Sequence, residues 1–148
     1  MNRKKLIIFL DGILIVLTLA VIFGNSIFSK EQSNEISREV FGFLSAFLDK
    51  VFGEGVITHA IIRKVAHFLQ FFLLGLECSL LSIMIFNVSV KRFISLLPFG
   101  LIVSFVDEGI QILSQRGASI IDVAIDLVGY IVASGLLCLI FFYNKERG

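Results

Sequence analysis

Long apolar blocks alternate with short polar segments along the whole chain. Four of these blocks, at about residues 6–24, 64–88, 93–113 and 120–143, are each long enough to cross a bilayer as a helix. A segment at about 34–52 differs, because its apolar residues recur at helical spacing with charges mostly opposite them: Ile36, Val40, Leu44, Phe47 and Val51. The pattern predicts an all-α, polytopic membrane protein with four transmembrane helices and one amphipathic helix, forming a single domain over residues 1–148.

The amphipathic segment carries too many charges to span the membrane, and it has two interpretations. It either lies in the interface of the outer leaflet or packs on the protein's own helix bundle. Both remain open at the level of sequence.

The first apolar block follows Arg3, Lys4 and Lys5. Basic residues before an apolar run also occur in signal peptides. This run is long, however, and no small-residue cleavage site follows it, so we predict an uncleaved spanning helix. Asp11 interrupts the block about two turns from its basic end. We expect its side chain to snorkel or to be paired near the interface.

Composition agrees with a membrane protein. Hydrophobic residues make up 57% of the chain and charged residues 17%, whereas soluble domains average about 45–50% and about 25%. The net charge of +1 is too small to indicate nucleic acid as a partner. Cys78 and Cys138 both lie in apolar blocks without metal-binding spacing, so we expect them to be packing residues.

The distribution of basic residues predicts the orientation. Lys and Arg flank the two termini and the turn between the second and third blocks, at Arg3, Lys4, Lys5, Lys91, Arg92, Lys145 and Arg147. By the positive-inside rule these segments are cytoplasmic, and the turn between the third and fourth blocks is outside. We therefore expect a multi-pass protein of the plasma membrane with both termini in the cytoplasm.

This topology brings polar residues from three helices to the outer face. At about 100° per residue, they form stripes that should point into the bundle, since charge facing lipid is penalised. The stripes are Arg63, His67, Gln70 and Glu77 on the second helix; Asp107 and Gln111, with Glu108 at their edge, on the third; and Asp122 and Asp126 on the fourth. Arg116 lies in the outer turn, and Ser119-x-x-Asp122 has capping-box spacing.

The spacing of these residues resembles the pattern of VanZ-like membrane proteins. The resemblance rests on Arg63-Lys64-x-x-His67-Phe68, then Asp107-Glu108-x-x-Gln111, followed by Arg116, Asp122 and Gly129 in matching order. It implies a bacterial envelope protein of a family named for resistance to the glycopeptide teicoplanin. Two positions depart from the pattern: that of Gln70 is commonly Glu, and that of Asp126 is commonly Asn. Relative to the pattern, this chain therefore lacks one carboxylate on the second helix and has an additional one on the fourth.

The predicted function is binding of an anionic lipid or lipid-linked envelope precursor, with phosphate or carboxylate on the cations and the tail in an apolar cleft. The candidate binding residues are Arg63, Lys64, His67, Gln70, Asp107, Glu108, Gln111, Arg116, Asp122 and Asp126. We expect no cofactor, and a homo-oligomer is compatible with the sequence.

Other roles for the polar residues remain open. The first alternative is an outer-leaflet enzyme in which His67 works with Asp107 or Glu108 as a general base. A weaker one is a divalent metal held by His67, Asp107, Glu108 and Asp122. The charges could also simply hold the helices together. A proton- or ion-coupled transporter is a further class, suggested by the depth of Glu77 and Asp126, although four helices are few for one.

Overall fold

The computed structural model describes residues 2–28, 58–86 and 89–147. They form four long helices: α1 (Arg3–Ile27), α2 (His59–Ile85), α3 (Val90–Leu113) and α4 (Ile120–Arg147). All four are long and apolar enough to cross a membrane, which confirms the predicted all-α class. The predicted amphipathic helix at 34–52 lies outside the described residues.

The residues that precede α1 and α2 explain where these two helices begin. Asn2 and Thr58 precede α1 and α2 in extended conformation, and their side-chain oxygens accept hydrogen bonds from Lys4 N and Ile61 N. Such caps satisfy backbone donors that have no partner within the helix. The third helix starts at Val90, so Lys91 and Arg92 belong to its first turn, and it continues through Pro98.

One boundary changes the description of the site. Asn25 and Ser26 follow residue 24, where the first spanning block was predicted to end. Instead α1 continues to Ile27, and both residues lie in its last turn. The polar groups of this turn face the bundle, and Ser26 is almost completely buried.

Helices α2 and α4 form the closest pair, because each contributes a glycine where the other's backbone passes. A Cβ added to Gly75 would lie 2.6 Å from the carbonyl oxygen of Tyr130, and one added to Gly129 would lie 2.5 Å from that of Phe68. Small residues permit this approach, which is a common way for helices to associate in membranes.

The interior of the bundle contains an apolar core and many buried polar or charged side chains. Tyr130 is fully buried in a core with Phe71, Leu74 and Ile22, and its hydroxyl donates to the carbonyl of Leu96. Large apolar side chains such as Phe105 are exposed on the outer faces of the helices. A bilayer accommodates exposed apolar faces of this kind, since its interior is as apolar as the side chains themselves.

The bundle has two ends that matter for function. The Arg116 end contains the 114–119 turn, the last turn of α1 and the first turns of α2 and α4. The Arg92 end contains the last turn of α2 and the first turn of α3. On the sequence-based orientation the Arg116 end faces outside, and this orientation remains a prediction.

Candidate functional site

A histidine lies between two carboxylates near the Arg116 end. His67 Nδ1 on α2 is 3.2 Å from Asp126 Oδ1 on α4 and 3.8 Å from Asp107 Oδ2 on α3. His67 is 7% exposed, and both aspartates are 0% exposed. We call these three residues the His67 cluster. It links three helices at a single buried point.

Neutral donors hold the two carboxylates of the His67 cluster in place. Ser26 Oγ donates to Asp107 Oδ1 at 2.5 Å, and Gln111 Nε2 donates to Asp107 Oδ2 at 2.9 Å. Ser104 Oγ donates to Asp126 Oδ2 at 2.7 Å. Each carboxylate therefore has a fixed orientation in which one oxygen faces the imidazole.

Between the His67 cluster and the Arg116 end, a guanidinium group is paired with a third acid. Arg63 donates to Asp122 Oδ2 at 3.0 Å, and the Asp122 side chain is 2% exposed while that of Arg63 is 38% exposed. Asp122 also lies in the first turn of α4, where the helix dipole favours a negative charge. Arg63 thus reaches from solvent to a buried carboxylate.

The start of α4 is capped by two residues, of which one comes from α3. Ser119 Oγ accepts a hydrogen bond from Asp122 N at 3.3 Å, as the capping-box spacing predicted. The acid that accepts from Ser119 N is Glu108, through Oε2 at 2.7 Å. Because Glu108 supplies this half of the box, Asp122 is available to Arg63.

The turn after α3 closes over the end of α1. Gln115 and Gly117 have positive φ angles of 59° and 82°, and the turn lies against the carbonyls of the last α1 turn. Ser114 Oγ donates to Ser26 O at 2.8 Å, and Arg116 Nη1 donates to Asn25 O at 2.6 Å. Carbonyls at a helix C-terminus lack intrahelical partners and attract cations, which accounts for both contacts.

Arg116 and Arg63 are close enough to influence each other. Burial lowers the pKa of Arg116 from its ordinary value, and the positive charge of Arg63 lowers it further. Nearby acids act in the opposite direction. Two guanidinium groups therefore share the Arg116 end, where an anion would reduce their mutual repulsion.

Eight of the ten predicted binding residues take part in the hydrogen bonds described above. They are Arg63, His67, Asp107, Glu108, Gln111, Arg116, Asp122 and Asp126. Within the part of the chain that the structure describes, these hydrogen bonds do not include Lys64 and Gln70, which are half-buried on α2. Asp126, rather than Glu108, is the second carboxylate at His67.

A second polar layer lies closer to the middle of the bundle. Thr18 Oγ1 on α1 donates to Glu77 Oε1 on α2 at 2.9 Å, and Asp11 is near enough to interact electrostatically with Glu77. Asp11 and Glu77 are 4% and 7% exposed. Asp11 is therefore a buried residue facing another acid, whereas we had expected it to snorkel or to be paired near the interface.

An apolar cavity of about 550 Å³ lies towards the Arg92 end, away from the His67 cluster. Its walls include Ile15, Cys78, Leu96 and Phe99, and Arg92 lines it next to Phe86, over whose ring its guanidinium lies. This position differs from that of the apolar cleft expected beside Arg63 and Arg116.

The hydroxyl donors were not predicted, although they follow helical periodicity. On α1, the buried polar residues Asp11, Thr18 and Ser26 lie seven and eight residues apart and share one face with Ile22. On α3, Ser104 precedes Asp107 and Glu108 by three and four residues on the same buried stripe. A search for serine and threonine in phase with the acids would have found Ser104 and Thr18.

One of three comparisons with known proteins found a match. The family model described as VanZ/LLP1 matches residues 12–142, which includes every residue of the site. The chain belongs to the VanZ/LLP1 family. No curated protein and no solved structure matched it. Membership of the family supports the conclusion that this is a membrane protein. It also confirms the resemblance inferred from the motifs.

Several buried polar atoms of the site have no hydrogen-bond partner among the described residues. They are Glu108 Oε1, Gln111 Oε1 and Asp122 Oδ1, and the second polar layer adds Asp11 Oδ2 and Glu77 Oε2. Buried polar atoms are normally paired, so these atoms are candidate positions for a contact with a ligand or with water. Three of the five belong to residues bonded to Arg63, to Asp107 and to the 114–119 turn.

Proposed function

We propose that this VanZ/LLP1 family member binds an anionic lipid or a lipid-linked envelope precursor at its Arg116 end, on the outer face of the bacterial plasma membrane. Arg63 and Arg116 would hold the phosphate or carboxylate of the headgroup. The apolar tail would lie along the exposed apolar helix faces. In this function the protein would limit the access of a glycopeptide such as teicoplanin to its lipid-linked target.

One observation carries the proposal: two half-buried guanidinium groups lie near each other at one end of the bundle. The guanidinium fork matches the geometry of phosphate and carboxylate oxygens. Arg63 is oriented by buried Asp122 while more than a third of its side chain stays exposed. A headgroup can therefore reach it from solvent without displacing the helix packing.

The carboxylates beneath the arginines would then have supporting roles. Asp122 orients Arg63, and Glu108 fixes the turn that carries Arg116. Their unpaired oxygens, Asp122 Oδ1 and Glu108 Oε1, could accept hydrogen bonds from sugar hydroxyls of a precursor.

An outer-leaflet enzyme is the second candidate, and the contact between His67 and Asp126 favours it. A carboxylate within 3.2 Å of an imidazole nitrogen can fix its tautomer and raise its basicity, as a general base requires. In this function the substrate would be a lipid-linked phosphate or sugar. The pair would be His67–Asp126, with Asp107 as a second carboxylate.

A purely structural role for the charges has less to support it. Interhelical polar contacts in membranes average about 0.6 kcal/mol, so stapling alone is a weak reason to bury four acids. The contact between Arg116 and Asn25 O does belong to such a role. It engages one of the guanidinium donors and leaves the others for a headgroup.

The test is lipid co-purification from a bacterial membrane in mild detergent, followed by mass spectrometry. We expect wild-type protein to carry an anionic lipid that is depleted in Arg63→Ala and Arg116→Ala. The matched control is Arg92→Ala, an arginine at the opposite end of the bundle, which should leave the bound lipid unchanged. Equal lipid content in all four proteins would refute the proposal.

A second arm separates binding from catalysis. Purified wild-type protein is incubated with lipid-linked precursors, which are then examined for chemical change. An unchanged precursor that stays bound supports a binding protein, and a new product that disappears in His67→Gln supports the enzyme. In cells, the proposed protection against teicoplanin should be abolished, at normal protein level, by each of Arg63→Ala, Asp107→Ala and Arg116→Ala.

A further inference from the structure

The His67 cluster has the arrangement of a metal-binding site. One nitrogen and two carboxylate oxygens from three different helices lie within 4.8 Å of one another. The two distances from His67 Nδ1 are 3.2 and 3.8 Å. Ligand atoms around a four-coordinate zinc, with bonds near 2.0–2.2 Å, are separated by about 3.3–3.6 Å. The two distances from His67 Nδ1 bracket this range, so one ion could bridge the three atoms once the two carboxylate oxygens draw together around it.

The charge of the cluster favours a divalent ion. Among the described residues, the hydrogen bonds to Asp107 and Asp126 come from neutral hydroxyl and amide groups and from His67. Arg63 is engaged by Asp122, and Arg116 donates to the carbonyl of Asn25. Metal ligation uses ionised carboxylates and a neutral imidazole, so the three ligands together would carry two negative charges. A single divalent ion neutralises both, and buried charges are normally paired or coordinate metals.

Neighbouring hydroxyl groups hold the two carboxylates of the His67 cluster in a fixed orientation. Ser104 fixes the far oxygen of Asp126, and Ser26 fixes the far oxygen of Asp107, so one oxygen of each carboxylate faces the imidazole nitrogen. Second-shell hydrogen bonds of this kind orient the ligands in metal sites. They rigidify the geometry before any ion arrives.

Gln111 supplies an independent observation. Its side chain is fully buried and its Nε2 donates to Asp107 Oδ2, while its Oε1 has no hydrogen-bond partner among the described residues. Exchanging the two ends of this amide would bring Oε1 towards the carboxylate. With a cation between them that arrangement is favourable, and Oε1 would then be the fourth ligand and the third oxygen.

We propose that His67, Asp107 and Asp126 bind one divalent transition-metal ion, with zinc as the reference ion. Imidazole combined with carboxylates is a donor set for such ions. Three protein ligands leave a coordination position for water, for Gln111 or for a ligand oxygen. The proposal departs from the expectation of no metal and replaces the set that included Glu108 and Asp122. It rests on the geometry of the cluster and does not require the proposed lipid.

The experiment measures metal content directly. The full-length protein is purified in detergent through a tag without histidine, stripped with a chelator, dialysed and titrated with Zn²⁺. Bound zinc is counted by plasma mass spectrometry, and affinity is measured by calorimetry. We expect about one ion per chain for the wild type. His67→Gln and Asp126→Asn should bind at least about tenfold more weakly.

Two matched controls test whether the loss is specific. His59→Gln changes the other histidine of the chain, and Asp11→Asn changes a buried acid of the second polar layer. Both should bind zinc as the wild type does. Ser104→Ala retains all three ligands, and we expect it to weaken affinity roughly 10–100-fold by releasing Asp126.

The wild-type measurement decides the proposal even if a variant fails to fold. A spectrum of Co²⁺-loaded wild-type protein should show the bands of a low-symmetry nitrogen and oxygen site, and Zn²⁺ should displace them. The proposal is overturned if the wild-type protein binds less than about one ion per chain. It is also overturned if the His67→Gln variant binds zinc as tightly as the wild type does. Lipid content is measured on the same samples, so failure of the metal site is distinguishable from failure of lipid binding.

Discussion

Glu108 on α3 accepts a hydrogen bond from the backbone nitrogen of Ser119 at 2.7 Å, so an acid of one helix caps the start of the next. The turn between them carries Arg116 and closes over the end of α1. The position of Arg116, one of the two arginines proposed to bind the headgroup, therefore depends on the Glu108 carboxylate, which need not touch the bound lipid. Glu108 is better described as a positioning residue than as a partner of His67.

The first prediction concerns this cap. Glu108→Ala should lower the free energy of unfolding by about 1 kcal/mol, because Ser119 N loses its acceptor. Glu108→Gln keeps an acceptor oxygen and should cost clearly less. Thermal unfolding in detergent measures both. If Glu108→Gln abolishes cellular activity at wild-type stability, the carboxylate acts chemically and the capping role is insufficient.

The second prediction concerns the close approach of α2 and α4. Gly75→Ala places a methyl group 2.6 Å from the backbone oxygen of Tyr130, which neither helix can relieve by a side-chain movement. We expect a loss of about 1–3 kcal/mol. Gly135→Ala on α4 is the control, since a Cβ there meets nothing within 4 Å. Comparable destabilisation by both changes would show that the close contact is not the cause.

The third prediction tests the pair of Arg63 and Asp122. Removing Arg63 leaves a buried carboxylate without its cation, whereas removing both partners does not. Arg63→Ala should therefore destabilise the protein more than Arg63→Ala combined with Asp122→Asn. A double-mutant cycle should give a coupling energy on the order of 1 kcal/mol, between the values for exposed and buried pairs. Additive effects would mean that the two side chains act independently.

The spanning helices and the convergence of the acids were predictable because both follow from periodicity. An apolar run of about 20 residues has few alternatives to a spanning helix. Asp107, Gln111, Asp122 and Asp126 lie on inward faces because charge facing lipid is costly. The same reasoning placed His67 on the buried face of α2.

The partners of these residues were not predictable from periodicity alone. Helical phase assigns a face, but the rotation and height of each helix decide which side chains meet. Gly75 and Gly129 permit the close approach of α2 and α4, across which Asp126 reaches His67, whereas Glu108 on α3 is engaged by Ser119 N. Ser26 was missed for a different reason, because it follows residue 24, where the first spanning block was predicted to end. Instead α1 continues to Ile27, and carbonyls of its last turn accept hydrogen bonds from Ser114 and Arg116.

The fourth prediction concerns orientation. Cysteine at Ala118, which is exposed in the 114–119 turn, should react with a membrane-impermeant maleimide added to intact cells. Cysteine at Lys91, exposed at the Arg92 end, should react only after permeabilisation. Both substitutions are made in a chain with Cys78→Ala and Cys138→Ala. The opposite labelling pattern would place the arginines in the cytoplasm and exclude an outer-leaflet ligand.

The last prediction concerns the second polar layer. Glu77 accepts from Thr18, and its other oxygen has no partner among the described residues, while Asp11 lies nearby. Glu77→Gln keeps an acceptor for Thr18 and removes an ionisable group from the apolar interior, so we expect stability to stay the same or to rise. Thr18→Val should cost about 0.6 kcal/mol, the typical value of an interhelical hydrogen bond in a membrane. Cellular activity should survive both changes if this layer only packs α1 against α2. Loss of activity in Glu77→Gln at full stability would instead show that the protein uses a titratable acid at this depth, as a proton-coupled mechanism requires.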